Sequence, residues 1–269
     1  MNADAKAKSA FITKDGLFQF KVMPFGLCNA PATFERLMDR VLRSHLGNRC
    51  LVYIDDVIVF GHDFQSTLEN LDIILGCLER AQLQLKAKKC ELFQREILYL
   101  GFRISGHGIR PDPAKTSAVT KWPRPCNVTD IRAFLGFASY HRRFIKDFAA
   151  IADPLTRLSK KCVKFEWTEL QEIAFQKLKT ALVDAPMLNH PVPNAPFILD
   201  TDASAFALGG VLSQVVDGEE RVVGFASRTL SKSERNYCTT HRELLAVVNM
   251  TKQFKHYLWG RRFHLRTDH

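Results

Sequence analysis

Two adjacent aspartates, Asp55 and Asp56, interrupt the otherwise apolar run from Cys50 to Phe60. Their carboxylates would repel each other, and burying them without partners would be costly. A tight β-hairpin with the pair at its tip is the simplest fold for this segment. Taken alone, the pattern favours a plain hairpin turn. The alternative is a site for a divalent metal ion that performs phosphoryl chemistry.

The composition is that of an ordinary globular protein. The chain has 269 residues, of which 46% are hydrophobic and 25% are charged, so it is long enough for more than one domain. It contains no apolar run of ~18 residues that would predict a transmembrane helix, and its polar N-terminus predicts no signal peptide. Seven scattered cysteines without a Cys-x-x-Cys pair indicate a reducing, intracellular setting, cytoplasmic or nuclear.

The net charge of +10 is concentrated in one part of the chain. The segment from Ser105 to Lys161 has eleven basic and four acidic residues, a net charge of +7. A solvated helical surface and a track for a phosphate backbone explain this equally well by composition. Interleaved aromatic residues favour nucleic acid slightly.

Hydrophobic periodicity predicts mixed α and β structure in several domains. Two short strands are expected between Phe11 and Val22, a helix from Thr129 to Phe148, and a second helix with a Thr168–Gln171 capping box. Four prolines between Asp184 and Pro196 predict a linker. A βββαβ unit follows, in which Asp217-Gly218 joins two strands.

A second group of acidic residues is spread over that last unit. Asp200 and Asp202 share one face at the end of an apolar strand. Glu243 lies three residues after Thr240, which a helix capping box alone would explain. Asp268 follows the final strand. Each of these residues is unremarkable by itself.

Several motifs, taken together, carry a family resemblance. Tyr53-Ile-Asp-Asp56 resembles the Tyr-x-Asp-Asp box of reverse transcriptases, and Met23–Phe34 resembles their palm motif. Tyr99-Leu-Gly-Phe102 resembles the primer-grip strand. Pro111-Asp-Pro113 and Phe134–Ile145 resemble the thumb of gypsy-type LTR retrotransposon Pol polyproteins. The motifs follow the family order over essentially the whole chain.

The resemblance implies a polymerase site in the palm. Asp55 would bind the catalytic metal ions, with Asp56 as its weaker neighbour. Lys88 or Lys89 falls at the position of a palm lysine near the nucleotide phosphates, and Lys89 enters the candidate site. The remaining candidates for nucleotide and template binding are Phe25, Gly26 and Tyr53. The candidates for primer-grip and duplex contacts are Tyr99, Leu100, Gly101, Arg142 and Arg143.

The C-terminal unit resembles the ribonuclease H domain of the same polyproteins. The matching segments include Thr201-Asp-Ala-Ser204 and Glu243-Leu-Leu-Ala-Val-Val248. The resemblance implies that Asp202, Glu243 and Asp268 converge on two Mg²⁺ ions and cleave the RNA of an RNA–DNA hybrid. Asp200 is expected to have a supporting role.

The resemblance also implies two gaps. The family has a further metal-bridging Asp before the palm motif and a fourth acid after the last strand, and no residue of this sequence matches either one. We therefore expect a fragment that lacks both ends and has impaired activity. The alternatives are a catalytically incomplete nucleic-acid-binding remnant of a retroelement and an integrase-type nuclease, which the palm motifs disfavour.

The expected fold is α+β or α/β and multidomain. It comprises a partial right-hand palm (1–104), a basic helical thumb (105–161), a connector with a proline-rich linker (162–196) and a truncated mixed-sheet RNase H-like domain (197–269). The expected cofactor is Mg²⁺, with Mn²⁺ as a substitute. The expected partners are an RNA–DNA hybrid, a primer–template duplex, a dNTP and the rest of a Pol polyprotein, but no membrane.

Overall fold

A computed structural model describes residues 1–161 and 163–268. The chain forms two compact units, Met1–Gln94 and Arg95–His269. The strands that follow residue 95 therefore pack with the second unit. No helix in the described part of the chain has the length and apolar character needed to cross a membrane.

The first unit packs helices around a small hairpin core. Its elements are α1 (Ala3–Lys8), β1 (Phe11–Thr13), β2 (Gly16–Phe18), α2 (Ala30–Leu42), β3 (Cys50–Tyr53), β4 (Asp56–Val59) and α3 (Phe64–Arg80). The apolar positions of α2 recur at helical spacing, so Met38 and Leu42 face Ile74 and Leu78 of α3. Helix α3 begins at a capping box between Asp63 and Ser66.

The second unit begins with an antiparallel sheet and a helical layer. The sheet contains β5 (Glu96–Tyr99), β6 (Phe102–Ser105) and β7 (Gly108–Pro111). The helices are α4 (Pro113–Thr120), α5 (Val128–Tyr140), α6 (Phe148–Leu158) and α7 (Glu169–Val183). Phe134, Leu155 and Phe175 form the centre of their shared core. The expected capping box between Thr168 and Gln171 is confirmed at the start of α7.

The helix expected from Thr129 to Phe148 is interrupted, so that prediction is wrong at its C-terminal end. Helix α5 ends at Tyr140, and Arg142–Phe144 form a short 3₁₀ helix. Asp147 then adopts a left-handed conformation with φ 54° before α6 begins. An L-residue in this region cannot continue a right-handed helix. The basic residues therefore lie on a turn between two helices.

A four-stranded mixed sheet ends the chain. Its strands are β8 (Phe197–Ala203), β9 (Ala207–Val216), β10 (Glu219–Thr229) and β11 (Phe263–Thr267), in the order β10-β9-β8-β11. Helices α8 (Thr239–Gln253) and α9 (Lys255–Leu258) connect β10 to β11. The first three strands are antiparallel, whereas β11 runs parallel to β8. The predicted βββαβ order is confirmed, as is the Asp217-Gly218 turn, where both residues have positive φ.

Both faces of the C-terminal sheet are covered. Neighbouring glycines in β9 show this, because Gly209 faces Asp147 before α6 and Gly210 faces Met250 of α8. Ser227 of β10 joins the sheet to α6 and to the turn before it. Its hydroxyl accepts a hydrogen bond from the Ala149 amide at 2.9 Å, and its carbonyl accepts one from Arg142.

The proline-rich segment after α7 is an ordered strap, so its description as a linker is incomplete. Leu188 is buried and exchanges backbone hydrogen bonds with Ile109 of β7. The buried Gln214 side chain accepts from the Val192 amide and donates to the Val192 and Ala195 carbonyls. The strap therefore joins the small sheet to the C-terminal sheet.

Candidate nucleic-acid and metal sites

The aspartate pair lies at a hairpin tip, as the sequence predicted. Tyr53 pairs with Asp56, so Ile54 and Asp55 form the two-residue turn between β3 and β4. Ile54 has φ 56°, which is unusual for a β-branched residue. Both carboxylates are exposed, and so is Tyr53. This arrangement presents two hard oxygen donors to solvent without the cost of burying them.

The other palm candidates are also on the surface of the first unit. Phe25 is fully exposed, and Gly26 has φ 88°, a conformation that favours glycine. Lys88 and Lys89 both belong to an exposed 3₁₀ helix that starts at Ala87. Their similar exposure leaves both lysines as candidates for contact with a nucleotide phosphate.

The predicted primer-grip residues form the turn between β5 and β6. Tyr99 pairs with Phe102, and the two turn residues have positive φ, 50° for Leu100 and 75° for Gly101. The Tyr140 hydroxyl donates to the Leu100 carbonyl at 2.5 Å. The Asp112 amide donates to the Gly101 carbonyl at 3.1 Å. Both turn carbonyls are thus anchored to the helical layer of the same unit.

Lys115 lies beside this turn, and no sequence motif points to it. A Cβ added to Gly101 would be 3.2 Å from Lys115 Nζ. No residue in the described ranges forms an ion pair with Lys115. The ammonium group therefore places positive charge at the predicted primer grip.

A buried histidine supports the same turn. His141 is 1% exposed and contacts the rings of Phe102, Phe137 and Tyr140. Burial lowers the pKa of His141 below its usual range; nearby Lys115 lowers it further, and Asp112 opposes both effects. The neutral ring is the form that the fold favours.

The two predicted duplex-binding arginines differ in their surroundings. Arg142 donates to the Ser227 carbonyl and lies 5.4 Å from the Phe148 ring centroid. Arg143 lies 5.8 Å from the Phe144 ring centroid, and its guanidinium has no ion-pair partner among residues 1–161 and 163–268. Arg142 thus has a structural contact within the chain, and both arginines stay candidates for a duplex phosphate.

The second set of acids comes from the ends of two strands of the C-terminal sheet and from helix α8. Asp202 is near the end of β8, and Asp268 directly follows β11. The parallel register pairs Thr201 with Thr267, so the next residues, Asp202 and Asp268, occupy neighbouring positions at one end of the sheet. Glu243 lies near the start of α8 and is 7% exposed. Helix α8 packs against β8 and β9.

These acids have the right chemistry for a hard divalent cation. No group of three or more potential metal-ligating side chains occurs in the described chain. The implied convergence of all three carboxylates therefore stays a prediction.

Asp147 is a further acid near Asp202, and no sequence motif points to it. It is half-buried beside Gly209, close enough to influence Asp202. Burial raises the pKa of Asp147; Lys146 lowers it, and Asp202 raises it. The sequence contains no pattern that would bring this residue to β9, because the contact depends on the turn before α6.

Asp200 is held in an ion pair, and its supporting role stays a prediction. Its carboxylate accepts two hydrogen bonds from Arg266, at 2.5 and 2.9 Å. Arg266 also contacts Glu220 at 2.6 Å, and Glu220 accepts a bond from Ser213 at 2.7 Å. These contacts lower the pKa of Glu220, with the Ser213 bond as the larger cause. The network joins residues of all four strands of the sheet.

Two family models match the chain. Residues 1–104 match the reverse transcriptase (RNA-dependent DNA polymerase) family, and residues 167–265 match the RNase H-like domain found in reverse transcriptase. Together they account for the exposed aspartate hairpin and for the C-terminal mixed sheet.

Curated relatives match over nearly the whole chain. The Pol polyprotein from Drosophila melanogaster transposon 297 is 43% identical over 100% of this chain, and that from transposon gypsy is 40% identical over 98%. The matched region is 25% of the first relative and 26% of the second, so the chain spans about a quarter of their length.

Solved structures confirm the fold. The foamy viral protease–reverse transcriptase in complex with RNA/DNA hybrid matches with a TM-score of 0.82 and 20% identity, over 99% of this chain and 36% of that one. The same viral protein in complex with dsDNA matches with a TM-score of 0.84, over 99% of this chain and 56% of that one. This chain is a homologue of the Pol polyproteins of gypsy and other LTR transposons, and it contains their reverse transcriptase and RNase H-like domains.

Proposed function

We propose that this chain is part of an RNA-directed DNA polymerase that also cleaves the RNA strand of RNA–DNA hybrids. The observation that supports this most directly is the register of β8 and β11. It gives Asp202 and Asp268 adjacent positions at one sheet end. Asp202 lies inside the segment that matches an RNase H-like domain, and Asp268 follows that segment by three residues. The exposed hairpin of Asp55 and Asp56 is the corresponding feature of the polymerase domain.

We propose Mg²⁺ as the cofactor, with Mn²⁺ as a substitute. Asp55 and Asp56 would bind it in the first unit, and Asp202, Glu243 and Asp268 in the second. When bound, the ions would activate the attacking oxygen and stabilise charge on the phosphate. The residues' own contribution is to supply carboxylate oxygens at fixed positions of a hairpin tip and a sheet end.

The proposed partners are an RNA–DNA hybrid, a primer–template duplex and a dNTP. The basic segment and the solved complexes of the foamy viral relative support a nucleic-acid partner. Phe25, Gly26, Tyr53 and Lys89 would contact the nucleotide and template. The residues that would contact the duplex are Tyr99, Leu100, Gly101, Arg142 and Arg143. Arg142 also holds the turn that carries Arg143.

We assign domains at 1–104, 105–161, 162–196 and 197–269, within a longer Pol polyprotein. A cytoplasmic or nuclear location fits the cysteines, because the six in the described chain are free thiols.

A cleavage assay tests the ribonuclease activity. A labelled RNA–DNA hybrid is incubated with the purified chain in Mg²⁺, in Mn²⁺ and in EDTA. We expect metal-dependent cleavage that Asp202→Asn abolishes while hybrid binding is retained. Asp217→Asn, at the exposed β9–β10 turn, is the matched control and should cleave like the original chain. Cleavage that survives in Asp202→Asn would contradict the assignment.

The second candidate function is binding of nucleic acid without catalysis. The observation in its favour is the basic segment from Ser105 to Lys161, which has a net charge of +7. In the same assay, salt-sensitive hybrid binding without cleavage under any metal condition would support this candidate over the ribonuclease.

A further inference from the structure

A small cavity lies at the outer edge of the C-terminal sheet. Its volume is about 180 Å³, and it lies where β10 meets the 3₁₀ turn and the end of α8. Its lining includes Arg142, Arg143, Gly224, Phe254 and Tyr257. None of the described side chains that line it is acidic.

The cavity is separate from the acidic residues of the sheet. It is lined by Gln253 and Phe254 at the C-terminal end of α8, whereas Glu243 is near the N-terminal end. Ten residues of helix between Glu243 and Gln253 correspond to about 15 Å at 1.5 Å per residue. The cavity also lies on β10, an edge strand that is two strands away from β8.

The arginines of the cavity are held in place by contacts within the chain. Arg142 is fixed by its bond to the Ser227 carbonyl and by the Phe148 ring. Arg143 packs its guanidinium near the Phe144 ring. A guanidinium whose position is already fixed loses less conformational freedom when it binds an anion. Because the described lining has two arginines and no acidic residue, the cavity attracts negatively charged groups.

The opposite wall of the cavity is apolar. Phe254 is buried and Tyr257 is half-buried, so the Tyr257 ring remains partly accessible. Gly224 forms the floor, and a Cβ there would be in ordinary contact with Phe254 Cε1, at 3.8 Å. Aromatic rings next to arginines suit a nucleotide, whose phosphate is anionic and whose base is planar.

We propose that this cavity binds one nucleotide unit, with its phosphate on Arg142 and Arg143 and its sugar and base against Tyr257 and the Gly224 floor. The nucleotide is either free or part of a bound strand. The proposal deepens the proposed function, because a strand nucleotide bound here would give the duplex a contact outside both acidic sites.

Amide NMR of the full chain, with AMP as the probe, tests the proposal. We expect AMP to shift the amides of Gly224, Phe225 and Ala226 in a saturable way. Adenosine and inorganic phosphate, each lacking half of the ligand, should bind more weakly. If AMP shifts none of these amides, or shifts no more than inorganic phosphate does, the proposal is wrong.

Two substitutions localise the site. Arg143→Gln should weaken AMP binding about tenfold, which is typical of a lost charge-assisted hydrogen bond. Gly224→Leu should abolish it by filling the floor, and Gly224→Ala is the milder version if the leucine variant does not fold. Arg132→Gln and Gly136→Leu, on the exposed surface of α5, are the matched controls. Unchanged AMP affinity in Arg143→Gln would overturn the proposal.

A labelled RNA–DNA hybrid distinguishes the two sources of the nucleotide. If Gly224→Leu weakens both AMP and hybrid binding, the natural ligand is a strand nucleotide; if only AMP binding falls, it is a free nucleotide. Hybrid cleavage is a separate readout. If the unsubstituted chain cleaves the hybrid but does not bind AMP, only the cavity proposal is contradicted. If it binds AMP but does not cleave the hybrid, only the proposed ribonuclease activity is contradicted.

Discussion

The Asp147 carboxylate lies directly against the backbone of Gly209, so that a Cβ at residue 209 would be 2.7 Å from Asp147 Oδ1. Gly209 pairs with Asp202 on one side and with Ser227 on the other. One glycine thus lets the turn before α6 approach the strand that carries the proposed ribonuclease residue. A larger residue would force the turn and the sheet apart.

This contact makes Gly209→Ala destabilising. Insertion of a methyl group into a filled space typically costs ~1–3 kcal/mol, and here the neighbour is a half-buried carboxylate. Urea unfolding of the two chains measures the difference. Gly224→Ala is the control from the neighbouring strand, because its Cβ would make an ordinary 3.8 Å contact. Equal losses of stability in the two variants would show that Gly209 is not required for the close approach of the Asp147 turn to β9.

Substitution of the two predicted duplex-binding arginines should affect different properties: the salt dependence of duplex binding for Arg143 and the stability of the chain for Arg142. Arg143→Ala is expected to lower the slope of log affinity against log salt by ~1, the value for one lost phosphate contact. Arg142→Ala should mainly lower the free energy of unfolding, because it removes the bond to the Ser227 carbonyl. Fluorescence anisotropy over a salt series measures the slopes, with Arg132→Ala as a control. An unchanged slope in the Arg142→Ala, Arg143→Ala double variant would remove the assignment of this turn to duplex binding.

The buried His141 predicts that stability falls in mild acid. The fold lowers the pKa of His141, so below the ordinary value of about 6.5 the unfolded chain binds a proton that the folded chain does not. Stability is therefore complete above that pH and is lost as the pH falls toward the folded-state pKa. Urea unfolding between pH 7.5 and 5.5 should show a free energy of unfolding that falls as the pH falls. We call this dependence the pH slope of stability.

His141→Asn removes the titrating ring and is expected to flatten the slope, whatever its effect on stability at pH 7.5. His256→Asn, at an exposed position in α9, should keep it. If the slope is the same in His141→Asn, another group is responsible for the acid sensitivity.

The aspartate hairpin should bind a divalent cation by itself. We expect added Mn²⁺ to broaden the amide NMR signals of Ile54 and Asp56 and Asp55→Asn to weaken this effect. EDTA should restore the signals. Asp15 provides the comparison, because it lies in the exposed turn of the β1–β2 hairpin without an acidic neighbour. Broadening near Asp15 as strong as that near Asp55 would indicate non-specific binding.

The sequence alone determined the local elements and the family. The Asp55–Asp56 hairpin, the Thr168 capping box and the βββαβ order follow from short-range patterns, because turn chemistry and side-chain periodicity act within a few residues. Motif order identified the reverse transcriptase and RNase H-like domains, since it does not depend on how the elements pack.

Only the tertiary structure decided which distant residues meet. It interrupted the expected helix at Tyr140, ordered the proline-rich strap through Gln214, and gave Arg142 a partner in Ser227, 85 residues away. It also placed Asp147 beside Gly209. These contacts join segments far apart in sequence through close packing and backbone hydrogen bonds, and no local pattern records which partner a buried group will find.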